Sequence, residues 1–486
     1  MVGCLPQVLN SIRVYFGAIL HTLRSDSPEF RLQRRTKIAA MFTVLLSLFS
    51  SVAPYTEDAV QSVVGTLLSG ADFPRAWTML RIQQRMASML VRAGVNPANC
   101  LPQSQVVLVG RAKHLKKIVF EKEFAEKLKV VGKDLFEKAQ EVMPSSGALP
   151  FYLNLAKFVA LPEKTSRGNT PSHAHAITRE LRATQVVVTD NKPLVETDLG
   201  YLQSLCDSIR QCGKQIDQPC NELNSETFAA EAATLVDQLG VKIEKTIVKG
   251  EDLRVQGFGG IYHVGKAALF PPVFACFSYK PAGSTHTYAL VGKGIVYDTG
   301  GMQLKTKTGM PNMKRDMGGA AGVLAAFCTL GRLVLADGVC YAKNVLKANT
   351  IIDMATLTGA QAYATGKLHG AVLTNSDKWE QQAVIAGRAS GDLVHPLPYA
   401  PDLHMNDLKS PVADMKNSNL GKMDGPPSSI AGLFISSHID HSDEVDWLHF
   451  DIAAPAESAD RGTGYGPALL SKLLGAHTDV PLLKTQ

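Results

Sequence analysis

The stretch that decides the fold is VGKGIVYDTGGMQLKTKTGMPNMKRDMGGAAG, residues 291–322. It begins within HTYALVGKGIVYD (286–298), which predicts a buried strand, and it runs into a helix predicted over 317–329. Between them, glycine-rich turns carry four charged residues: Lys293, Asp298, Lys305 and Asp316. Ligands of open parallel sheets bind at the carboxyl ends of the strands, and carboxylates there can bridge two divalent cations. Spacing alone leaves two interpretations open, a functional acid/base cluster or surface charges beside turns.

Outward from this stretch the pattern alternates between strand and helix. The further predicted elements of this region are a helix over 224–239, strands over 273–279, 350–357 and 446–454, and a helix over 332–346. Such alternation predicts a parallel sheet with helices on its faces.

A smaller α/β region precedes the larger one. Strands are predicted over 105–110 and 185–190, and an amphipathic helix over 120–142. The predicted division is an extension of unknown structure at 1–85, a shortened α/β domain at 86–198, a linker helix at 199–216 and the larger domain at 217–486.

Composition narrows the class of protein. The 486 residues are 45% hydrophobic and 19% charged, which is typical of a globular chain, and the net charge of +6 is spread out rather than concentrated for nucleic acid. The eight cysteines form no CxxC pair, which favours reduced thiols and a cytoplasmic location. The apolar segment 38–53 follows several basic residues, which resembles a signal or anchor segment, but it starts far from Met1 and is short for a full membrane span; a buried helix or a wrongly chosen start codon are the alternatives.

Two glycine-rich motifs do not indicate nucleotide binding. GIYHVGKA (260–267) has Ala267 where a phosphate loop needs a serine or threonine hydroxyl for Mg²⁺. GTGYG (462–466) lacks the strand-to-helix setting of a dinucleotide fingerprint.

The sequence resembles the M17 leucyl aminopeptidase family. Residues 291–322 are similar to the catalytic motif of that family, and the other similar segments are DMATLTGA (353–360), VADMKNSNLGKMDGPPSSIAGLF (412–434), HFDIAAP (449–455) and RGTGYGPALL (461–470). The resemblance runs from about Met86 to the C-terminus and is strongest after residue 255. It is especially close to the animal branch that includes nematode leucine aminopeptidases.

The resemblance implies an α/β fold with a small N-terminal α/β domain and a C-terminal α/β/α zinc-peptidase-like catalytic domain, assembled as a homo-hexamer. It implies two divalent cations (zinc, manganese or magnesium) that bind the amino group and the carbonyl of a peptide's first residue. Carried over by motif, Lys293 and Asp316 ligate one metal, and Asp298 bridges both. Lys305 stabilises the oxyanion, and Arg332 holds the bicarbonate that helps to activate water.

The chain departs from the family at its next motif, Asn-Thr-Asp-Ala-Glu-Gly-Arg, whose Asp and Glu complete both metal sites. Aligned on Gly331-Arg332, this chain has Cys328 at the position of the Asp and Leu330 at that of the Glu. A thiolate from Cys328 is conceivable as a ligand, but soft sulfur replaces oxygen ligands poorly.

The same region indicates a deletion. The helical patterns 317–329 and 332–346 are separated by two residues, although a parallel sheet needs a strand between them. We therefore predict that several dozen residues are missing, as a skipped exon or a faulty gene model would leave. A shorter gap is predicted near 186–199.

The predicted function is a metallo-aminopeptidase that releases N-terminal amino acids, leucine preferred, from peptides. Because two carboxylate ligands are missing, we expect at most one bound metal and impaired activity. The alternative is a catalytically silent scaffold or regulatory subunit of the same family.

Overall fold

A computed structural model describes residues 90–93, 106–120, 131–151, 156–170, 185–188, 195–301, 303–329, 337–416, 425–478 and 480–484. The predicted extension 1–85 with its apolar segment, as well as Leu330 and Arg332, lies outside these residues. Within the described ranges, no helix combines the length and the apolar character needed to cross a membrane.

The strands are β1 Leu90–Ala93, β2 Val106–Arg111, β3 Gly147–Phe151, β4 Ala156–Leu161, β5 Gln185–Val188, β6 Glu244–Lys249, β7 Val273–Ser278, β8 Tyr288–Gly292, β9 Thr350–Ala355, β10 Gly370–Thr374, β11 Val394–Pro396, β12 Asp446–Asp451, β13 Glu457–Ser458 and β14 Arg461–Gly462. The α-helices are α1 Ala112–Leu115, α2 Lys133–Glu141, α3 Glu196–Asp217, α4 Ser225–Asp237, α5 Glu251–Val255, α6 Gly259–Gly265, α7 Gly318–Thr329, α8 Asp337–Asn344, α9 Ala360–Thr365, α10 Asp377–Ser390, α11 Pro401–His404, α12 Pro427–Ser437, α13 Pro467–Leu474 and α14 Pro481–Lys484. Short 3₁₀ turns lie at Met313–Met317, Met405–Leu408 and Gly475–His477.

The larger domain is centred on a five-stranded sheet in the order β11-β10-β12-β9-β8. Strands β8, β9 and β12 are mutually parallel, but β10 runs antiparallel to β12, so the all-parallel prediction is wrong at this edge. Among the described strands, β8 ends the sheet, while β6 and β7 form a separate antiparallel pair.

Helices cover both faces of this sheet, and the predicted α/β/α arrangement is confirmed. On one face, α7, α10 and α13 pack on the alternate strand residues Leu290, Ile352 and Phe450. On the other face, α8 and α12 pack on Val291 and Trp447. Because successive strand side chains point to opposite faces, continuous apolar strands supply both cores.

Helix α7 lies unusually close to the sheet because it begins with small residues. A Cβ atom on Gly319 would lie 2.2 Å from the carbonyl oxygen of Met354 in β9. A Cβ atom on Gly292, the last residue of β8, would lie 2.5 Å from Cα of Ala320. The close approach brings the beginning of α7 to the carboxyl ends of β8 and β9.

The predicted strand over 286–298 is too long. Strand β8 ends at Gly292, and the chain then turns toward α7: the Lys293 amide donates to the Met354 carbonyl at 3.1 Å, and the Ala320 amide donates to the Lys293 carbonyl at 2.8 Å. Residues 293–298 therefore form a loop at the end of the sheet rather than more of the strand.

The N-terminal region contains the three-stranded sheet β2-β4-β3 and a core of phenylalanines that includes Phe136 and Phe158, whose ring centroids are 5.3 Å apart. The predicted helix over 120–142 is wrong as one continuous element. Its described C-terminal part begins at Lys133, after Gly132 with a φ of 77°, a conformation that ends or prevents a helix.

Candidate active site

The candidate site lies where β8 and β9 end and α7 begins. Lys293 follows β8, Thr356 follows β9, and Asp316 lies in the 3₁₀ turn that precedes α7. This is the end of the parallel strands at which the sequence predicted a ligand site.

Lys293 and Asp316 form a largely buried ion pair. The Lys293 Nζ donates to Asp316 Oδ1 at 2.7 Å and to the Thr356 carbonyl at 3.1 Å, and the side chains are 19% and 7% exposed. The Thr356 hydroxyl donates to the same Oδ1 at 3.0 Å. Burial raises the pKa of Asp316; Lys293 opposes this rise, and the nearby Asp298 adds to it.

The second carboxylate oxygen of Asp316 differs from the first. Oδ2 is buried and has no hydrogen-bond partner among the residues that the structure describes. Buried carboxylate oxygens are nearly always hydrogen-bonded or bound to a cation, so this atom marks an open coordination position.

Asp298 and Lys305 form the neighbouring pair, with 2.9 Å between Lys305 Nζ and Asp298 Oδ2. The Gly300 amide donates to Asp298 Oδ1 at 2.8 Å. Gly300 has a φ of 92°, and a Cβ there would lie 2.5 Å from the Gln303 carbonyl oxygen, so the turn requires glycine. Burial raises the pKa of Asp298, but Lys305 and the Gly300 amide outweigh burial and leave that pKa below its ordinary value.

The structure thus brings together four of the five predicted site residues: Lys293, Asp298, Lys305 and Asp316. The fifth, Arg332, lies outside the described residues. The two pairs interact electrostatically, since Lys293 lowers the pKa of Asp298 and Asp298 raises that of Asp316. Two cationic and two anionic side chains therefore share one site.

Two residues that support these pairs, Thr356 and Asp451, were not among the predicted site residues. Thr356 holds Asp316, and Asp451 accepts hydrogen bonds from the loop that carries Thr356. Both lie in segments that carried the family resemblance, DMATLTGA and HFDIAAP, so the signal was present without an assigned role.

The residues present fit one divalent cation better than two. Asp316 Oδ2 offers an open oxygen, and Asp298 lies beside it. In the described ranges, however, no three His, Cys, Asp or Glu side chains come together as a metal-binding group. A pair of divalent cations needs more compensating carboxylates than these two.

Cys328 does not replace a missing ligand. It lies at the end of α7 opposite Asp316, and the 12-residue helix rises about 18 Å. Its side chain packs with the apolar cluster of Val236, Phe277 and Leu324. The suggestion of a thiolate ligand is therefore wrong, because the unbroken helix carries the thiol away from the site.

A cavity of about 500 Å³ opens at that far end of α7. It is lined by residues of α3, α4 and α7, including Gln211, Leu235 and Cys328, and by Leu239 just after α4. It lies beside the point where the sequence predicts a missing segment.

Comparison with known families agrees with the fold. The model of the cytosol aminopeptidase family catalytic domain (Peptidase_M17) matches residues 211–330 and 329–471, and the M17 aminopeptidase N-terminal domain 2 model matches residues 104–199. The fold and site define a protein of the metal-dependent aminopeptidase class. The chain belongs to the M17 leucyl aminopeptidase family.

Individual relatives support this assignment. Leucine aminopeptidase 1 of Caenorhabditis elegans is 43% identical, with 82% of this chain and 100% of the relative covered, and the probable aminopeptidase NPEPL1 of Mus musculus is 39% identical, with 82% and 95% covered. The solved structure of the C. elegans enzyme has a TM-score of 0.77 at 42% identity, covering 82% of this chain and 100% of that one. Leucyl aminopeptidase of Trypanosoma brucei in complex with bestatin has a TM-score of 0.70 at 26% identity, covering 84% and 100%.

The comparisons also bear on the predicted deletion. The catalytic-domain model matches in two pieces that meet at residues 329 and 330. The alignment with the C. elegans relative spans 496 positions, whereas 82% of the 486-residue chain is about 399 residues, so about 97 positions have no counterpart here. The chain therefore lacks internal sequence that this relative has.

Proposed function

We propose that this chain is an impaired metallo-aminopeptidase, which removes N-terminal amino acids, leucine preferred, from peptides with at most one bound cation. The observation that carries the proposal is the open Asp316 Oδ2 beside the Asp298–Lys305 pair, in a chain of an aminopeptidase family. Zinc, manganese and magnesium are the candidate ions.

The site residues have separate roles in this proposal. Asp316, Asp298 and Lys293 would hold the cation, and Thr356 fixes the orientation of the Asp316 carboxylate through its hydroxyl. When bound, a divalent cation polarises the scissile carbonyl and lowers the pKa of water. Lys305, 30% exposed, lies at the open side of the site and supplies positive charge toward the developing oxyanion. Arg332 is proposed to bind bicarbonate.

The impairment follows from charge and ligand number. Two divalent cations carry four positive charges, and the described site offers two carboxylates, whose neighbours include two lysines. The Asp and Glu of the family motif correspond to Cys328 and Leu330, of which Cys328 lies at the far end of α7. A second cation would therefore lack oxygen ligands and charge compensation.

A silent scaffold or regulatory subunit is the second candidate function. It is favoured by the two-piece family match, which breaks where the missing carboxylates belong. In this case the chain would assemble with intact family members in a hexamer in the cytoplasm and would not hydrolyse peptides.

Metal content and hydrolysis measured on one preparation test both candidates. The purified chain is loaded with Mn²⁺ or Zn²⁺, and its metal content and its hydrolysis of leucine para-nitroanilide are measured. We expect at most one ion per chain and weak, chelator-sensitive hydrolysis. Asp316→Asn should weaken cation binding by at least about 10-fold, since it removes the charge of a ligand. The matched control is Asp237→Asn, which alters another lysine-paired carboxylate, remote from the site.

Each result selects one conclusion. Two ions per chain with ordinary enzyme rates would show that the proposed impairment is wrong. One ion without hydrolysis would select the scaffold. Absence of Asp316-dependent cation binding would refute the proposed cation site.

A further inference from the structure

Part of the loop that follows β9, residues 356–358, is held by the buried carboxylate of Asp451. Asp451 Oδ1 accepts the amide of Leu357 at 3.1 Å, and Asp451 Oδ2 accepts the amide and the hydroxyl of Thr358 at 3.1 and 2.6 Å. The Thr358 hydroxyl also lies 2.6 Å from the Ser428 hydroxyl at the beginning of α12. The Asp451 side chain thus accepts hydrogen bonds from three donors of this loop.

The position of Asp451 is fixed by the central sheet. It is the last residue of β12, it lies opposite Ala355 in the parallel register, and it is 1% exposed. His449 lies two residues earlier on the same strand, where its Nδ1 pairs with Asp353 Oδ1, and the indole of Trp447 donates to Asp353 Oδ2 at 2.8 Å. Burial lowers the pKa of His449, but the carboxylates of Asp353 and Asp451 outweigh burial and leave that pKa above its ordinary value.

The opposite side of the same loop faces the candidate site. The Thr356 carbonyl accepts from Lys293, and the Thr356 hydroxyl donates to the Asp316 carboxylate and to the Asp316 carbonyl at 3.1 Å. The loop therefore carries contacts to Asp451 on one side and to the Lys293–Asp316 pair on the other.

We infer that Asp451 is a positioning residue for this site: by fixing residues 356–358, it holds Thr356 against Asp316 and Lys293. Its effect on cation binding rests on the proposed function, whereas its effect on the ion pair does not. Outer hydrogen bonds of this kind orient the ligands that contact a metal.

If Asp451 only stabilised the fold, its loss should not free Lys293. Asp392 is a suitable residue for comparison. Asp392 is a partly buried aspartate that also accepts backbone amides, those of Gly466 and Leu469 at 3.0 and 3.2 Å. Its carboxylate lies at the beginning of α13, and its described side-chain hydrogen bonds go to that helix rather than to the loop. Loss of either carboxylate should affect stability, but only loss of Asp451 should free Lys293.

The experiment measures the reactivity of Lys293 without added metal. Wild type, Asp451→Asn and Asp392→Asn are reductively methylated in the presence of chelator, and modification of Lys293 is quantified by mass spectrometry relative to Lys214. Lys214 serves as the internal reference because it is held by Glu231 at 2.8 Å, away from the site. We expect the Lys293 to Lys214 ratio to rise about fivefold in Asp451→Asn, the scale of one lost hydrogen bond, and to stay unchanged in Asp392→Asn.

Calorimetric titration with Mn²⁺ is the second measurement. Asp451→Asn should bind Mn²⁺ about 10-fold more weakly than wild type, and Asp392→Asn should bind it equally well. If Asp451→Asn does not fold, Thr358→Val takes its place, since it removes the hydroxyl that donates to Asp451. Thr358→Ser, which keeps the hydroxyl, should restore the wild-type labelling ratio.

The outcomes separate this inference from the proposed function. If wild type binds no Mn²⁺ but Asp451→Asn still frees Lys293, the cation site is refuted and the positioning role stands. An unchanged labelling ratio in folded Asp451→Asn and in Thr358→Val would overturn the positioning role, whatever the metal content.

Discussion

Asp316 shows how much two oxygens of one carboxylate can differ. Oδ1 accepts from Lys293 and from Thr356, whereas Oδ2, although buried, has no partner in the described part of the chain. An unsatisfied buried acceptor costs about 1–3 kcal/mol, so this oxygen lowers the free energy of unfolding of the chain. Such a cost is typical of an atom reserved for a ligand.

Asp392 allows a pH prediction at the scale of one residue. Burial raises its pKa to about 6, against the lowering effect of the amides of Gly466, Leu469 and Ala468. A carboxyl group whose pKa is higher in the folded chain binds its proton more tightly there. The stability gained from the protonated form at low pH is therefore lost as the pH rises through about 6.

The measurement compares the free energy of unfolding of wild type and Asp392→Asn. From about pH 5 to about pH 7.5, wild type should lose about 1.5 kcal/mol relative to the variant. Because both chains share all other titrating groups, the difference isolates Asp392. A constant difference across this range would show that Asp392 titrates normally in the folded chain.

At the scale of elements, α7 packs so closely on β9 that a side chain at position 319 would not fit between them. Gly319→Ala would place its Cβ 2.2 Å from the Met354 carbonyl oxygen, an atom that also accepts from the Lys293 amide. We expect the helix to move away and the unfolding free energy to fall by about 3 kcal/mol, the upper end for overpacking. Thermal or urea denaturation measures the loss.

Gly200→Ala is the matched control for that substitution. Gly200 also lies in a helix, α3, and a Cβ there would meet nothing within 4 Å. This change should stabilise the chain by about 0.5–1 kcal/mol, because alanine loses less backbone entropy in a helix. Equal stability of the two variants would contradict the close packing of α7 on β9.

For the whole molecule, the cavity and the incomplete site have one common explanation. The cavity adjoins Cys328, and the family match divides at residues 329 and 330. A missing segment would leave both a gap in the packing and a shortage of carboxylates. The two defects should therefore be repaired together.

Restoring the segment tests this explanation. The corresponding residues of the C. elegans relative are inserted after Thr329, and a scrambled insert of equal composition serves as the control. We expect a second bound cation, a melting temperature higher by at least about 5 °C, and hydrolysis faster by at least about 100-fold. A folded insertion chain that still bound one ion and stayed inactive would show that the missing carboxylates do not explain the impairment.

The sequence by itself determined the family, the α/β architecture, the position of most elements after residue 195, and the four charged residues around the turns of 291–322. These features follow from local patterns, since apolar periodicity and glycine turns act over a few residues. Patterns were insufficient where non-local pairing decided the outcome. They wrongly predicted a strand that continues past Gly292, a helix that continues through Gly132, and a wholly parallel sheet.

Only the tertiary structure decided which side chains meet. It gives the two carboxylate oxygens of Asp316 different surroundings, and it places Cys328 at the far end of α7. It also placed Asp451 on Leu357, 94 residues away in the chain, and so connected β12 to the Lys293–Asp316 pair. The physical reason is that strand order and helix docking fix these contacts, and neither is encoded in the spacing of the residues that take part.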